Sequence, residues 1–185
     1  AAFQSPQVLS PDLYFVLDMS LRFSRFTGGA FDITVRPLIH LWRRARTDGK
    51  LPDQPELSQV RRRVGYRHVL LNSRTRSLRF EISGVELDLS GVGKGYAADE
   101  ALRVLRRHQI VSALVDAGGD IRLGLPPPGT TGWAVELAEG DGDTRKIRLQ
   151  NCAIAGSGDS FQFVEIEGVR YSHIVDPRTG FGLRG

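Results

Sequence analysis

Residues 88–95 read Asp-Leu-Ser-Gly-Val-Gly-Lys-Gly, which sets a carboxylate, three alternating glycines and a primary amine within one short run. Glycines let backbone N–H groups approach a ligand closely, and Lys94 adds a mobile cation. The chemistry these types suit is anion binding, above all of phosphate at the positive end of a following helix. Asp88 suits another task, accepting hydrogen bonds from a ligand's polar groups. A tight turn with a solvated lysine and a turn-stabilising aspartate is an equal reading of the same residues. Neither standard nucleotide motif is present: Gly95 follows Lys94 where G-x-x-x-x-G-K-[ST] needs a hydroxyl, and glycines at 91, 93 and 95 do not fit G-x-G-x-x-G. The second group able to do chemistry is His173, in YSHIVDPRTG (171–180). A neutral imidazole titrates near working pH and can take a proton from a hydroxyl. A hydrogen-bonded structural histidine on a strand is the competing reading.

The elements that must position these groups are legible in outline. Ser10 caps a helix with Pro11 and Asp12 in its first turn, an apolar stripe of Leu13, Val16, Leu17, Leu21 and Phe26 follows, and Gly28 and Gly29 stop it. A second helix carries Val35, Leu38, Ile39 and Trp42, and a third runs from about Pro55 to Gly65. The period then changes. HVLLN and LRFEI flank SRTRS as a hairpin, and VELDLS reads as a strand leading into the glycine-rich turn. A helix after that turn places Ala98, Ala101, Leu102 and Leu105 on one side. SALVDAGGDIRLGL reads as strand, glycine turn, strand. WAVELA and KIRLQ pair across EGDGD, and FQFVEIEGVRYSHIV is a last hairpin turning at Glu167–Gly168. Helices followed by mainly antiparallel strands, with one helix inserted between strands, make the class α+β.

Composition narrows the function. The chain has 185 residues and a net charge of +4, with no apolar run near the ~20 residues of a membrane span. Its arginines are dispersed. LWRRAR and VRRRVGYRH are short clusters on polar helix faces, and no nucleic-acid module accompanies them, so nucleic acid is not expected as a partner. Cys152 is the single cysteine and reads as an inert packed thiol. His40, His68 and His108 read as surface or packing residues.

Four segments occur in order: GGAFDITVRPLIHLW, LDLSGVGKGYAADEAL, ALVDAGGDIRLGL and YSHIVDPRTG. Together they resemble the ApbE family of flavin transferases, over most of the chain. The resemblance implies an enzyme that uses FAD and a divalent cation, usually Mg2+, and transfers FMN to a Ser or Thr hydroxyl of a target flavoprotein with release of AMP. Some members act as FAD pyrophosphatases, and a flavin-nucleotide-binding protein without catalysis is a further alternative. Matched position by position, Ala30, Phe31, Asp32, Asp88 and Lys94 are the implied flavin-nucleotide contacts. A carbonyl at Gly91 is the implied metal ligand, and His173 the implied general base. Without the family, Phe31 reads as core and Asp32 as a helix cap. The family also implies a periplasmic or cell-envelope location with a lipid anchor to the membrane.

The chain departs from the family pattern in places. GSGDSF stands at 156–161 where members commonly have TSG and an aromatic residue, and FGLRG follows DPRTG where a proline is usual. Members also begin earlier and continue with a segment rich in Asp, Ala and Thr whose side chains hold magnesium. The resemblance therefore implies one ApbE-like domain over 1–185, incomplete at both ends, that holds part of the site and is inactive by itself.

Overall fold

Ser10 behaves as its type predicts: its hydroxyl accepts from the Leu13 N–H at 3.2 Å, with Pro11 and Asp12 in the first turn of the helix it opens. A computed structural model of the chain describes residues 5–138, 143–157 and 163–184. In chain order the elements are β1 (Gln7–Val8), α1 (Pro11–Phe26), α2 (Arg36–Asp48), α3 (Gln54–Arg61), a 3-10 turn (Tyr66–His68), β2 (Val69–Asn72), β3 (Ser77–Phe80), α4 (Ser90–Arg107), β4 (Leu114–Asp116), β5 (Ile121–Leu123), β6 (Trp133–Ala138), β7 (Thr144–Leu149), β8 (Ala153–Ile154), β9 (Phe163–Ile166), β10 (Val169–Val175) and β11 (Gly182–Arg184). The strand pairs are antiparallel and form small sheets ordered β1-β3-β2, β4-β5-β8, β6-β7 and β11-β10-β9. The class is α+β. The chain divides into two units: residues up to Leu89 join the C-terminal segment in the first, and 90–157 form the second.

Two cores hold the first unit. In one, α1 packs Leu17 and Leu21 with Ile33, Val69, Leu78, Phe80 and Val85. In the other, Leu38, Leu41, Trp42, Ala45 and Leu57 of α2 and α3 meet Ile166, Tyr171 and Val175 of the C-terminal strands. Trp42 is 1% exposed and meets the Tyr171 ring edge-on at 5.4 Å. Burying a side chain of this size is worth roughly 1.5–3 kcal/mol. In the second unit, α4 buries Ala98 and Leu102, with Leu123 fully buried on β5. No helix among the described residues is long and apolar enough to cross a membrane.

Several sequence expectations need correction. The buried face of α1 is Val16, Leu17, Ser20, Leu21 and Ser24, while Leu13 and Phe26 are exposed at its ends. Ser20 and Ser24 enter the core because their hydroxyls bond back to the Val16 and Ser20 carbonyls. VELDLS is not a strand. Its apolar residues pack into the α1 core as extended chain, and its backbone is tied to residue 33 by a bond from Asp88 N–H to the Ile33 carbonyl at 2.7 Å. The largest correction concerns the glycine-rich stretch. It is not a turn: α4 begins at Ser90, so Gly91, Gly93, Lys94 and Gly95 lie inside its first turns. The downstream part of the helix packs well enough to carry three poor helix formers, each costing about 1 kcal/mol relative to alanine. The third helix ends at Arg61, short of Gly65. β1 and β11 have too few residues for any alternation to announce them. The EGDG turn (139–142) and residues 158–162 of GSGDSF and FQF lie outside the described residues; β6 and β7 pair as expected.

Candidate active site

The segment after α1 is built on consecutive left-handed glycines, Gly28 (φ 60°) and Gly29 (φ 84°). Ala30 follows and is exposed; Phe31 is half-buried and lies edge-on to Phe23 at 5.3 Å. Asp32 is buried. Its Oδ1 accepts from the Thr34 N–H (2.8 Å) and hydroxyl (2.6 Å), and its Oδ2 from the Tyr66 N–H (2.7 Å). Thr34 Oγ1 in turn accepts from the Gly65 N–H at 2.7 Å. Asp32 therefore does not cap α2, whose N-cap is Val35 with no side-chain bond. It ties its own loop to the 3-10 turn, and each donor orphaned by its loss would cost about 1–3 kcal/mol. Ile33, next to it, receives the backbone bond from half-buried Asp88, so the structure brings the 30–33 and 88 positions together.

His173 is half-buried on β10, at the centre of a β-bulge. Tyr171 pairs with Arg184 and Val175 with Gly182, so Ser172, His173 and Ile174 stand opposite Leu183 alone. Bulges re-aim side chains and recur beside active sites. The turn that follows is closed by Asp176: its carboxylate accepts from the Arg178 backbone N–H (2.9 Å) and from the guanidinium at 3.0 and 3.1 Å, and its carbonyl accepts from Gly180 N–H. Gly180 has φ 81°, and an added Cβ would lie 2.5 Å from Leu57 Cδ1.

The Arg178 guanidinium holds the Asp176 carboxyl below its usual range; burial opposes this, and the Arg178 N–H reinforces it. A carboxyl lowered in the folded state gives stability that is present above its unfolded value of about 4 and is lost as pH falls through the folded value. Urea unfolding midpoints of the wild type should therefore fall more steeply than those of Asp176→Asn between about pH 4 and the acid limit. Parallel curves would assign acid sensitivity elsewhere.

In the second unit, Gly91, Gly95 and Asp99 of α4 face Asp120 and Arg122 across a cleft of about 150 Å³. Lys94 Nζ reaches Asp120 Oδ2 and the Gly118 carbonyl, each at 3.2 Å, and Arg122 Nε reaches Asp99 Oδ1 at 2.5 Å. The AGGD turn is as expected: Gly118 and Gly119 have φ 73° and 92°, and Asp116 Oδ1 accepts from Gly119 N–H. An ideal Cβ at Gly93 or Gly95 would have no heavy atom within 4 Å. Packing among the described residues therefore does not require glycine at either position.

The sequence profile of the ApbE family matches residues 1–185. The chain belongs to the ApbE family. It is 32% identical to the FAD:protein FMN transferase of Treponema pallidum over 97% of its length, and 35% identical to that of Vibrio cholerae serotype O1 over 95%. It covers 54% of each, so the chain spans about half the length of the curated relatives it matches. Its fold is similar to a crystal structure of an ApbE protein from Thermotoga maritima, with TM-score 0.86 and 31% identity over 100% of this chain and 61% of that one. A second similar structure is the flavin transferase ApbE from Vibrio cholerae, with TM-score 0.85 and 32% identity over 97% of this chain and 58% of that one.

The ApbE-like positions fall in both units: Ala30, Phe31, Asp32, Asp88 and His173 in the first, Gly91 and Lys94 in the second. The donors described do not by themselves fit a magnesium ion. Gly91 lies within α4, where its carbonyl serves the helical ladder. The two carboxylates of the nearby cleft are paired with Lys94 and Arg122, and no group of three or more His, Cys, Asp or Glu able to hold a metal occurs among the described residues. The sequence places the AGGD turn beside the site without assigning Asp120 to it, and gives no signal for the bond from Trp42 to the Ser172 carbonyl, which joins residues 130 apart.

Proposed function

We propose that the protein is an FAD:protein FMN transferase. A Ser or Thr hydroxyl of a target flavoprotein attacks the FMN phosphorus of FAD; the P–O bond to the AMP phosphate breaks, AMP leaves, and FMN becomes phosphoester-linked to the target. His173 receives the hydroxyl proton as general base, and the bulge that carries it supports this reading. This reading assigns flavin-nucleotide contacts to Ala30, Phe31, Asp32 and Asp88 in the first unit and to Lys94 in the second. For Asp32 the hydrogen bonds favour a contribution through loop shape, because its oxygens already serve three donors. The resemblance assigns Mg2+ to the Gly91 carbonyl, but that carbonyl lies within α4, so no step is routed through the metal on this chain's residues. Residues 1–185 then form one ApbE-like domain, incomplete at both ends and inactive by itself, of a protein in the cell envelope with a lipid anchor as the family resemblance implies.

The observation that carries the proposal is the glycine-lined start of α4, which keeps space open beside a helix N-terminus and Lys94. It yields a prediction of opposed signs. Gly95→Ala should raise stability by up to about 1 kcal/mol, because alanine is the better helix former and its methyl meets nothing. The same methyl should weaken FAD binding, read by flavin fluorescence titration. A variant that is more stable and binds FAD unchanged would remove the close-approach argument.

The reaction itself is tested by mass spectrometry of a target flavoprotein incubated with the whole protein, FAD and magnesium. An FMN adduct on a Ser or Thr is the expected result. Free FMN and AMP without an adduct would make the protein a pyrophosphatase, and intact FAD a binding protein.

A further inference from the structure

Around the bulge in β10, side chains hold the peptides on either side of His173. The 172–173 peptide presents the Ser172 carbonyl, which accepts from Trp42 Nε1 at 3.2 Å. The 173–174 peptide presents the Ile174 N–H, which donates to Ser172 Oγ at 3.1 Å. The first contact is buried and the second partly so; Trp42 is 1% and Ser172 4% exposed. The space is closed from the third side by β11, where a Cβ on Gly182 would lie 2.2 Å from that same Ser172 carbonyl and 2.7 Å from the Trp42 ring.

Two peptide planes fix the φ and ψ of the residue between them, and hence the direction of its Cα–Cβ bond. We infer that Trp42 and Ser172 are positioning residues for His173: one pins the peptide before it and the other the peptide after it. This rests on the reading of His173 as the general base. Neither residue needs to touch FAD or the acceptor hydroxyl. Their contribution is to keep the imidazole within the narrow range of placement that proton transfer demands, where a 1 Å error can cost about 10²-fold.

The same residues also have an ordinary packing role, so the test must separate the two. Trp42→Phe keeps most of the ring and removes the N–H; Ser172→Ala removes the acceptor of the Ile174 N–H with minimal change in volume. FMN transfer by the whole protein is measured for each variant, alone and combined with His173→Gln. Each single variant should lower kcat by about 10- to 100-fold, with KM for FAD nearly unchanged, as for residues that orient a catalytic group. In the His173→Gln background neither should lower it further, since a residue acting only through the imidazole has nothing left to act on.

A readout without substrate accompanies this. The His173 ring nitrogens, followed by NMR in the unliganded protein, should give one sharp set of signals in the wild type and broadened or shifted signals in Ser172→Ala. Full loss of kcat persisting in the His173→Gln background, or unchanged kcat and unchanged His173 signals, would overturn the positioning role while leaving the base reading intact. Normal turnover by His173→Gln itself would overturn both, and identifies the failure as that of the base.

Discussion

His173→Gln is expected to lower FMN transfer by about 10²- to 10⁴-fold, the range a general base commonly supplies. Glutamine keeps a planar polar side chain of similar reach and removes the proton acceptor. FAD affinity should stay within about twofold, because the imidazole acts on the acceptor hydroxyl and not on the bound dinucleotide. The two quantities are read separately, turnover by adduct formation on a target flavoprotein and affinity by flavin fluorescence. Turnover within about threefold of the wild type would make His173 a structural histidine. A parallel collapse of FAD affinity would place it in the nucleotide site instead.

Gly182→Ala is expected to cost about 3 kcal/mol or more, at the upper end of overpacking effects. The added methyl would fall 2.2 Å from a backbone carbonyl and 2.7 Å from a buried indole, and neither neighbour is a flexible chain end. No φ argument is involved, since Gly182 is absent from the left-handed glycines. The penalty is purely one of space. Gly156→Ala is the matched control: Gly156 is exposed, and its Cβ would meet nothing within 4 Å. Urea unfolding should separate the two variants clearly, with the control within about 0.5 kcal/mol of the wild type. Equal stabilities would mean that β11 does not sit against Trp42 as described.

Much of the fold was legible because its signals are local. Ser10 accepts from the N–H group three residues on, as an N-cap type should. The Glu167–Gly168 and AGGD turns follow from glycine and from residues that tolerate positive φ. What failed is equally instructive. Three glycines in five residues argue for a turn on propensity, yet the packing of Ala98 and Leu102 extends α4 back through them. Glycine content argued for a turn, and the chain there is the start of a helix. VELDLS alternates like a strand, but alternation states only that one side is buried, not that a neighbouring strand is available. His173 was singled out by its motif; the bulge that carries it was not, because the contacts around it join a tryptophan on another element to a backbone carbonyl, and an adjacent serine hydroxyl to a backbone N–H, which no residue type encodes.

The order of segments along the chain has a consequence for synthesis. Residues 90–157 form a unit from one continuous stretch, whereas the first unit needs residues from both sides of it. Trp42 and the carbonyl it binds are 130 residues apart. At ordinary translation speeds the indole leaves the ribosome roughly 6–26 s before its partner does. During that interval α2 and α3 present Leu38, Leu41, Trp42 and Leu57 with no strand to receive them, while the later-made unit can already close on itself. The nascent chain thus finishes its second-born part first, and the newly emerged α2–α3 pair is the segment a chaperone would have reason to hold.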